Sequence, residues 1–156
     1  MNTNIAKTIE GLDYFSSLQS KFDLAKQPIS TWSIAEHIDH SLKVHNNILN
    51  AIKEGKNDEN YIPLKLIGRV VLLTNFIPRG KAKTPEKVAP DKKDNSRLLT
   101  DLADTKSTFN NFDAKDLEKQ MFINHPVFGS LNPQQWIRFL YIHQYHHLKI
   151  IREILK

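Results

Sequence analysis

Residues 132–156, NPQQWIRFLYIHQYHHLKIIREILK, decide how this chain is read. Asn132 is a good helix N-cap and Pro133 suits the first helical position. Gln135 stands three beyond the cap, where its side chain reaches back to complete a capping box. At about 100° per residue, Phe139, Leu140, His143, His147, Ile150, Ile151 and Ile154 all fall within about 60° of Trp136. One apolar stripe therefore carries two histidines a single turn apart. Imidazole in a core needs a partner, and two such rings can share one metal ion. Arg138, Gln144, Lys149, Arg152, Glu153 and Lys156 point elsewhere and are expected to meet water. Ile137, Tyr141, Leu148 and Leu155 form a second, weaker apolar line. That line reads either as packing or as contact with a second subunit, which puts a homodimer among the expected partners.

Working back along the chain, helical spacing runs from about Asn4 to Ala25 through Ile5, Ile9, Leu12, Phe15, Leu18 and Phe22. Gln27, Pro28 and Ile29 break it. Ser30 or Thr31 is expected to cap a second helix through Trp32, Ile34, Ile38, Leu42, Leu49 and Ile52, stopping near Gly55. Pro63 opens a short, very apolar segment, LKLIGRVVLLTNFI, whose composition also allows a strand. A fourth helix is expected from about Asp94 to Phe112. The pattern predicts an all-α fold: a four-helix bundle with a short extra helix in a long crossover between the second and third bundle helices. The short first connection makes the first two helices antiparallel neighbours, and no strand pattern stands out.

A chain of 156 residues with 40% apolar content and no Gly- or Pro-rich tract is expected to form a single domain over 1–156. The absence of cysteine excludes disulfides, thiolate zinc sites and a cysteine nucleophile. No signal peptide or membrane span is recognisable, so a cytoplasmic location with no membrane partner is expected. Six basic residues (Arg79, Lys81, Lys83, Lys87, Lys92, Lys93) against two acidic ones (Glu86, Asp91) fall between 79 and 93. Without interleaved aromatics or a recognition helix, that run reads as a solvated crossover loop and not as a nucleic-acid site.

Five further histidines leave alternatives open. In WSIAEHIDHSLKVHNNIL the apolar positions centre on His45, with His37 to one side and His40 roughly opposite. Spacing alone nominates His45. Ser33, Val44 and Ala51 share the side of His40, however, so a helix contacted on two sides would bury that residue too. His37, His45 and His146 read as surface, edge or supporting positions, with His146 the substitute if His147 points away. His125, in the HPVFG turn, is a loop residue or lines the mouth of a site. Glu36 and Asp39 are candidates to orient a ligand's other nitrogen.

The motif WSIAEHIDH, with His40 eight positions after Trp32, and the motif HQYHHLKII resemble the DinB-like (DinB/YfiT) superfamily of metal-binding four-helix bundles. The blocks LIGRVVLLTNFIPRGKAKTPE and HPVFGSLNPQQW look like a DinB-related family of unknown function. The resemblance implies a divalent metal held by His40, His143 and His147, a histidine triad drawn from the second and last helices. Zinc and nickel come first, ahead of iron and manganese. It also implies a metal-dependent transferase acting on a small-molecule substrate, a low-molecular-weight thiol, since three imidazoles leave coordination positions open. The alternatives are a metal-dependent hydrolase and a non-catalytic, stress-related binding module whose metal is structural or absent.

Overall fold

The computed structural model describes residues 2–80, 83–91 and 94–156. It contains α1 (Thr3–Ser17), α2 (Ile34–Glu54), α3 (Leu66–Thr74), α4 (Asn95–Asn110) and α5 (Pro133–Ile154), with a two-stranded ribbon of β1 (Ile123–His125) and β2 (Gly129–Leu131). The fold is the expected helical bundle, and α3 is the short extra helix in the crossover.

The chain's local signals account for most helix boundaries. Asn132 and Gln135 form the capping box that opens α5. Asp94 caps α4 by accepting from the Arg97 N–H. Gly55, in the left-handed conformation, closes α2. Two boundaries differ from expectation. The cap of α2 is Ser33, which forms a capping box with Glu36; Ser30 is drawn off to bind a histidine. Helix α1 ends at Ser17 instead of running to Ala25. There the Ser16 and Ser17 hydroxyls donate to the Leu12 and Tyr14 carbonyls, and a tight turn at Gln19–Lys21 delivers Phe22 into the core.

The bundle core is continuous from Ile5 through Phe15, Phe22, Leu49, Leu102 and Phe109 to Ile151. Its most extensively packed helix pairs are α1 with α5, α2 with α5, α1 with α4 and α2 with α4. Helices α1 and α2 therefore stand diagonally across the bundle, not side by side as expected. The segment between them is long enough to span its end, and it docks on the start of α2 where Ala35 N–H donates to the Phe22 carbonyl and Ile34 N–H to that of Leu24. Pairing of His37 with His147 and of His45 with Leu140 makes α2 and α5 antiparallel. Lys7 beside Tyr141 and Arg152 beside Tyr14 make α1 and α5 parallel.

Because α5 is gripped from two sides, both of its apolar lines are internal: Ile137 and Leu148 are buried. Gln144, expected to meet water, is only 2% exposed. It fills the groove left by Gly11 of α1, where an added Cβ would stand 2.8 Å from Gln144 Oε1.

The ribbon was not legible as strands. Its three-residue strands pair Ile123 with Leu131 and His125 with Gly129. It is held to the crossover by Ser130 N–H donating to the Ile62 carbonyl and Ile62 N–H donating to Ser130 Oγ, both at 2.7 Å. No helix is long and apolar enough to cross a membrane among the described residues. Of the basic run, Lys81, Lys92 and Lys93 lie outside the described residues; Lys83 and Lys87 are exposed, and Arg79 pairs with Glu153 at 2.8 Å.

Candidate metal centre

The antiparallel packing of α2 on α5 brings His40, His143 and His147 to one point. His40 Nε2 lies 3.1 Å from His143 Nε2, and His147 Nε2 lies 3.3 Å from the same atom. One potential ligand atom from each residue falls within 4.8 Å of the other two. Two nitrogens each ~2.0–2.1 Å from one tetrahedral ion stand about 3.3–3.4 Å apart; the 3.3 Å separation falls in that range and the 3.1 Å one is slightly shorter.

Protonation can be assigned from the partners. His40 Nδ1 is 2.7 Å from the Val88 carbonyl, which can only accept. Neutral His40 therefore carries its proton on Nδ1 and directs the Nε2 lone pair at the cluster. On the other side, His147 Nδ1 is 2.9 Å from His37 Nδ1, and His37 Nε2 is 2.9 Å from Ser30 Oγ. With His37 donating from Nε2 to Ser30 Oγ, its Nδ1 accepts from His147 Nδ1–H, which frees His147 Nε2 in turn. Ser30 Oγ also accepts from the Trp32 N–H at 3.0 Å. His143 Nδ1, buried, makes no hydrogen bond.

Burial lowers the pKa of every histidine in this cluster. His143 and His147 fall well below the usual value and His40 falls below it, while His37 drops to about 4. After burial, the largest influence on His143 is the neighbouring His40, and on His147 it is His143. The rings are neutral near pH 7, which is the form that binds metal. With its one proton on Nε2, neutral His143 donates toward the His40 and His147 lone pairs; with that proton on Nδ1, three lone pairs converge on one point that could hold a divalent cation.

The surroundings hold the rings in place. Trp32 lies against His37 and His40 with ring centres 5.3 Å apart in each case, and stacks over His147 at 6.3 Å. The crossover's end is clamped to α2: Lys43 donates to the Ala89 carbonyl and to Asp91, while Asp91 N–H donates to Asp39 Oδ2. This clamp sets the Val88 carbonyl over His40. Of the two acids considered as orienting groups, Glu36 serves the helix cap and Asp39 secures the crossover. The groups hydrogen-bonded to the His40 and His147 rings are instead Val88 and His37. Val88 carries no sequence signal, because any residue has a carbonyl. His37, three before His40 on the same helix, reads from the sequence as a surface, edge or supporting position; the structure buries it against His147.

The other histidines separate cleanly. His45, favoured by spacing alone, is buried among core side chains, with Phe109 edge-on and Nε2–H donating to the Leu140 carbonyl at 3.4 Å. His125 stands one ring away from the cluster, packed on Phe139, which packs on His143. Its ring stacks on Phe128, and Nδ1 accepts from the Val127 and Phe128 N–H groups of its own turn. His146 touches the His147 ring and lines a neighbouring cleft of about 280 Å³ with Phe76, Ile77, Arg79, Lys149 and Glu153.

Among known proteins, a family model matches residues 17–154 of the chain. The chain belongs to the family of proteins of unknown function DUF1569. It is similar to the uncharacterized protein YuaE of Bacillus subtilis (strain 168), 29% identical over 133 residues that cover 83% of this chain and 80% of that protein. No solved structure matches it. The matched span includes α2, the crossover and α5, and therefore the whole histidine cluster and its clamp.

Proposed function

We propose that His40, His143 and His147 form an open centre for one divalent metal ion, zinc or nickel before iron or manganese, and that the protein is a DinB-like metalloenzyme of one 156-residue domain acting on a small molecule. The observation that supports this most is the fixed tautomer of His40: with Nδ1–H given to Val88, its Nε2 has a lone pair aimed at two other imidazoles. When bound, a divalent ion would supply Lewis acidity, lowering the pKa of a water or thiol in the coordination position that three protein ligands leave free.

The chain's own contribution is positional. Val88 and His37 hold two of the ligand rings in register. Trp32 walls one side and keeps bulk water from the imidazoles, and burial keeps the rings unprotonated. A low-molecular-weight thiol is the substrate class favoured by the resemblance of WSIAEHIDH and HQYHHLKII to DinB-like bundles, which makes a thiol S-transferase the leading activity. The test is cobalt(II)-loaded protein titrated with small thiols. A thiolate-to-cobalt charge-transfer band that saturates, and that is missing in His143→Ala, is expected. A cobalt-loaded protein that gives no such band and instead hydrolyses activated esters would replace the transferase reading with a hydrolase.

A further inference from the structure

Helix α3 has two unlike faces. Gly68, Val71 and Leu72 are buried, and Gly68 lets the helix lie close to the ribbon, because a Cβ there would stand 2.7 Å from Leu64 and Phe128 side-chain atoms. The opposite face carries Leu66 at 76% exposure, Ile67 at 41%, Val70 at 44% and Leu73 at 78%. Spacing of four and then three residues puts Leu66, Val70 and Leu73 in one row, with Ile67 on its flank. Phe76, 57% exposed, follows at the helix end. In a short helix, solvation of so much hydrocarbon is costly, and among the described residues nothing covers it.

We propose that this face is the contact by which two copies of the chain form a symmetric dimer. At roughly 150–200 Å² for a fully exposed Leu, Ile or Val, the four helical residues present about 400 Å² of apolar surface, within the range of the largest and often functional apolar patch of a monomer. A standard interface buries about 800 Å² per partner, of which a little over half is apolar, so the row by itself supplies the apolar share of one half. Its charge pattern suits a rim and a centre: Lys65 and Arg69 border the row, exposed, and no charged residue interrupts it. An isologous contact needs only one such self-complementary patch, and twofold homodimers are the commonest soluble assemblies. The second apolar line of α5 is not available for this role, since Ile137 and Leu148 are already buried within the bundle. Phe76 also lines the cleft beside His146, so the partner would sit next to that opening.

The experiment is sedimentation velocity on the full chain over a micromolar concentration series, comparing wild type with the pair Leu66→Glu, Leu73→Glu. A wild-type dimer is expected, together with a variant that is monomeric while its helical circular dichroism is unchanged. The milder pair Leu66→Ser, Leu73→Ser carries the same test should the glutamates disturb folding, with dimer dissociation strengthened at least tenfold. A wild type that stays monomeric throughout, or a dimer that both pairs leave intact, overturns the proposal. So does a monomeric wild type that co-sediments with phosphatidylglycerol vesicles and loses this on substitution, because the face would then dock on a lipid surface.

Discussion

His40 and Val88 are joined by a 2.7 Å hydrogen bond across 48 residues of sequence, and this contact ties the crossover to the candidate metal centre. Its carbonyl fixes the proton of His40 on Nδ1. Lys43, Asp39 and Asp91 hold that carbonyl in place from below.

Breaking the clamp is expected to weaken metal binding without removing a ligand. Lys43→Met frees the Ala89 carbonyl and the Asp91 carboxylate, leaves the Asp91 N–H on Asp39 as the remaining tie, and loosens Val88, and a drop in metal affinity of about 10-fold is expected, since supporting partners of ligands typically contribute 10–100-fold. Competition with a chromophoric chelator measures it. Unchanged affinity in a folded Lys43→Met protein would show that the crossover does not orient His40.

His37 should behave in the same way and be rescued in part. His37→Ala leaves His147 Nδ1 without its partner, whereas His37→Gln can still offer an acceptor there. Metal affinity is expected in the order wild type, Gln, Ala, with about 10–100-fold between the extremes. Equal affinities for Gln and Ala would remove His37 from the orienting role.

His45 gives a pH prediction on metal-free protein. Complete burial lowers its pKa from 6.5 to about 4. Between those values the unfolded chain takes up a proton that the folded chain refuses, so this term destabilises the fold progressively as pH falls from 6.5 to 4. Above 6.5 it contributes no slope. The loss from one such group is about 1.4 kcal/mol per pH unit inside the window. Urea unfolding of His45→Gln should therefore show a shallower dependence over that range than wild type, with metal binding retained. An identical slope would contradict the assignment.

Gly129 tests the ribbon's seat. It adopts φ +92°, and a Cβ there would stand 2.5 Å from the Pro63 carbonyl oxygen. Gly129→Ala is expected to cost about 2–3 kcal/mol through strain and displacement of the crossover. Thermal unfolding checks it, and a melting temperature within a degree of wild type would contradict the contact.

The elements that sequence made legible are those with a local cause. Asn132, Pro133 and Gln135 mark the start of α5, and the four-residue spacing of His143 and His147 puts both rings on one face. His40 was not separable from His45 by spacing, because α2 is contacted by α4 and α5 and the crossover covers a further side. Only a resemblance to known motifs favoured it. Gln144 reads as a surface residue until Gly11 of another helix is placed opposite. The Val88 carbonyl, the diagonal placement of α1 and α2 and the three-residue strands all depend on contacts distant in sequence, which periodicity does not encode.

The most direct test of a three-histidine centre is metal content per chain, measured by elemental analysis after dialysis of wild type and of His40→Ala, His143→Ala and His147→Ala against zinc, nickel, iron and manganese in turn. One ion per wild-type chain is expected with at least one of these metals, falling to near zero in each of the three variants while helical content persists. A folded wild type that emerges metal-free from every dialysis, or variants that keep a full complement, would contradict the account.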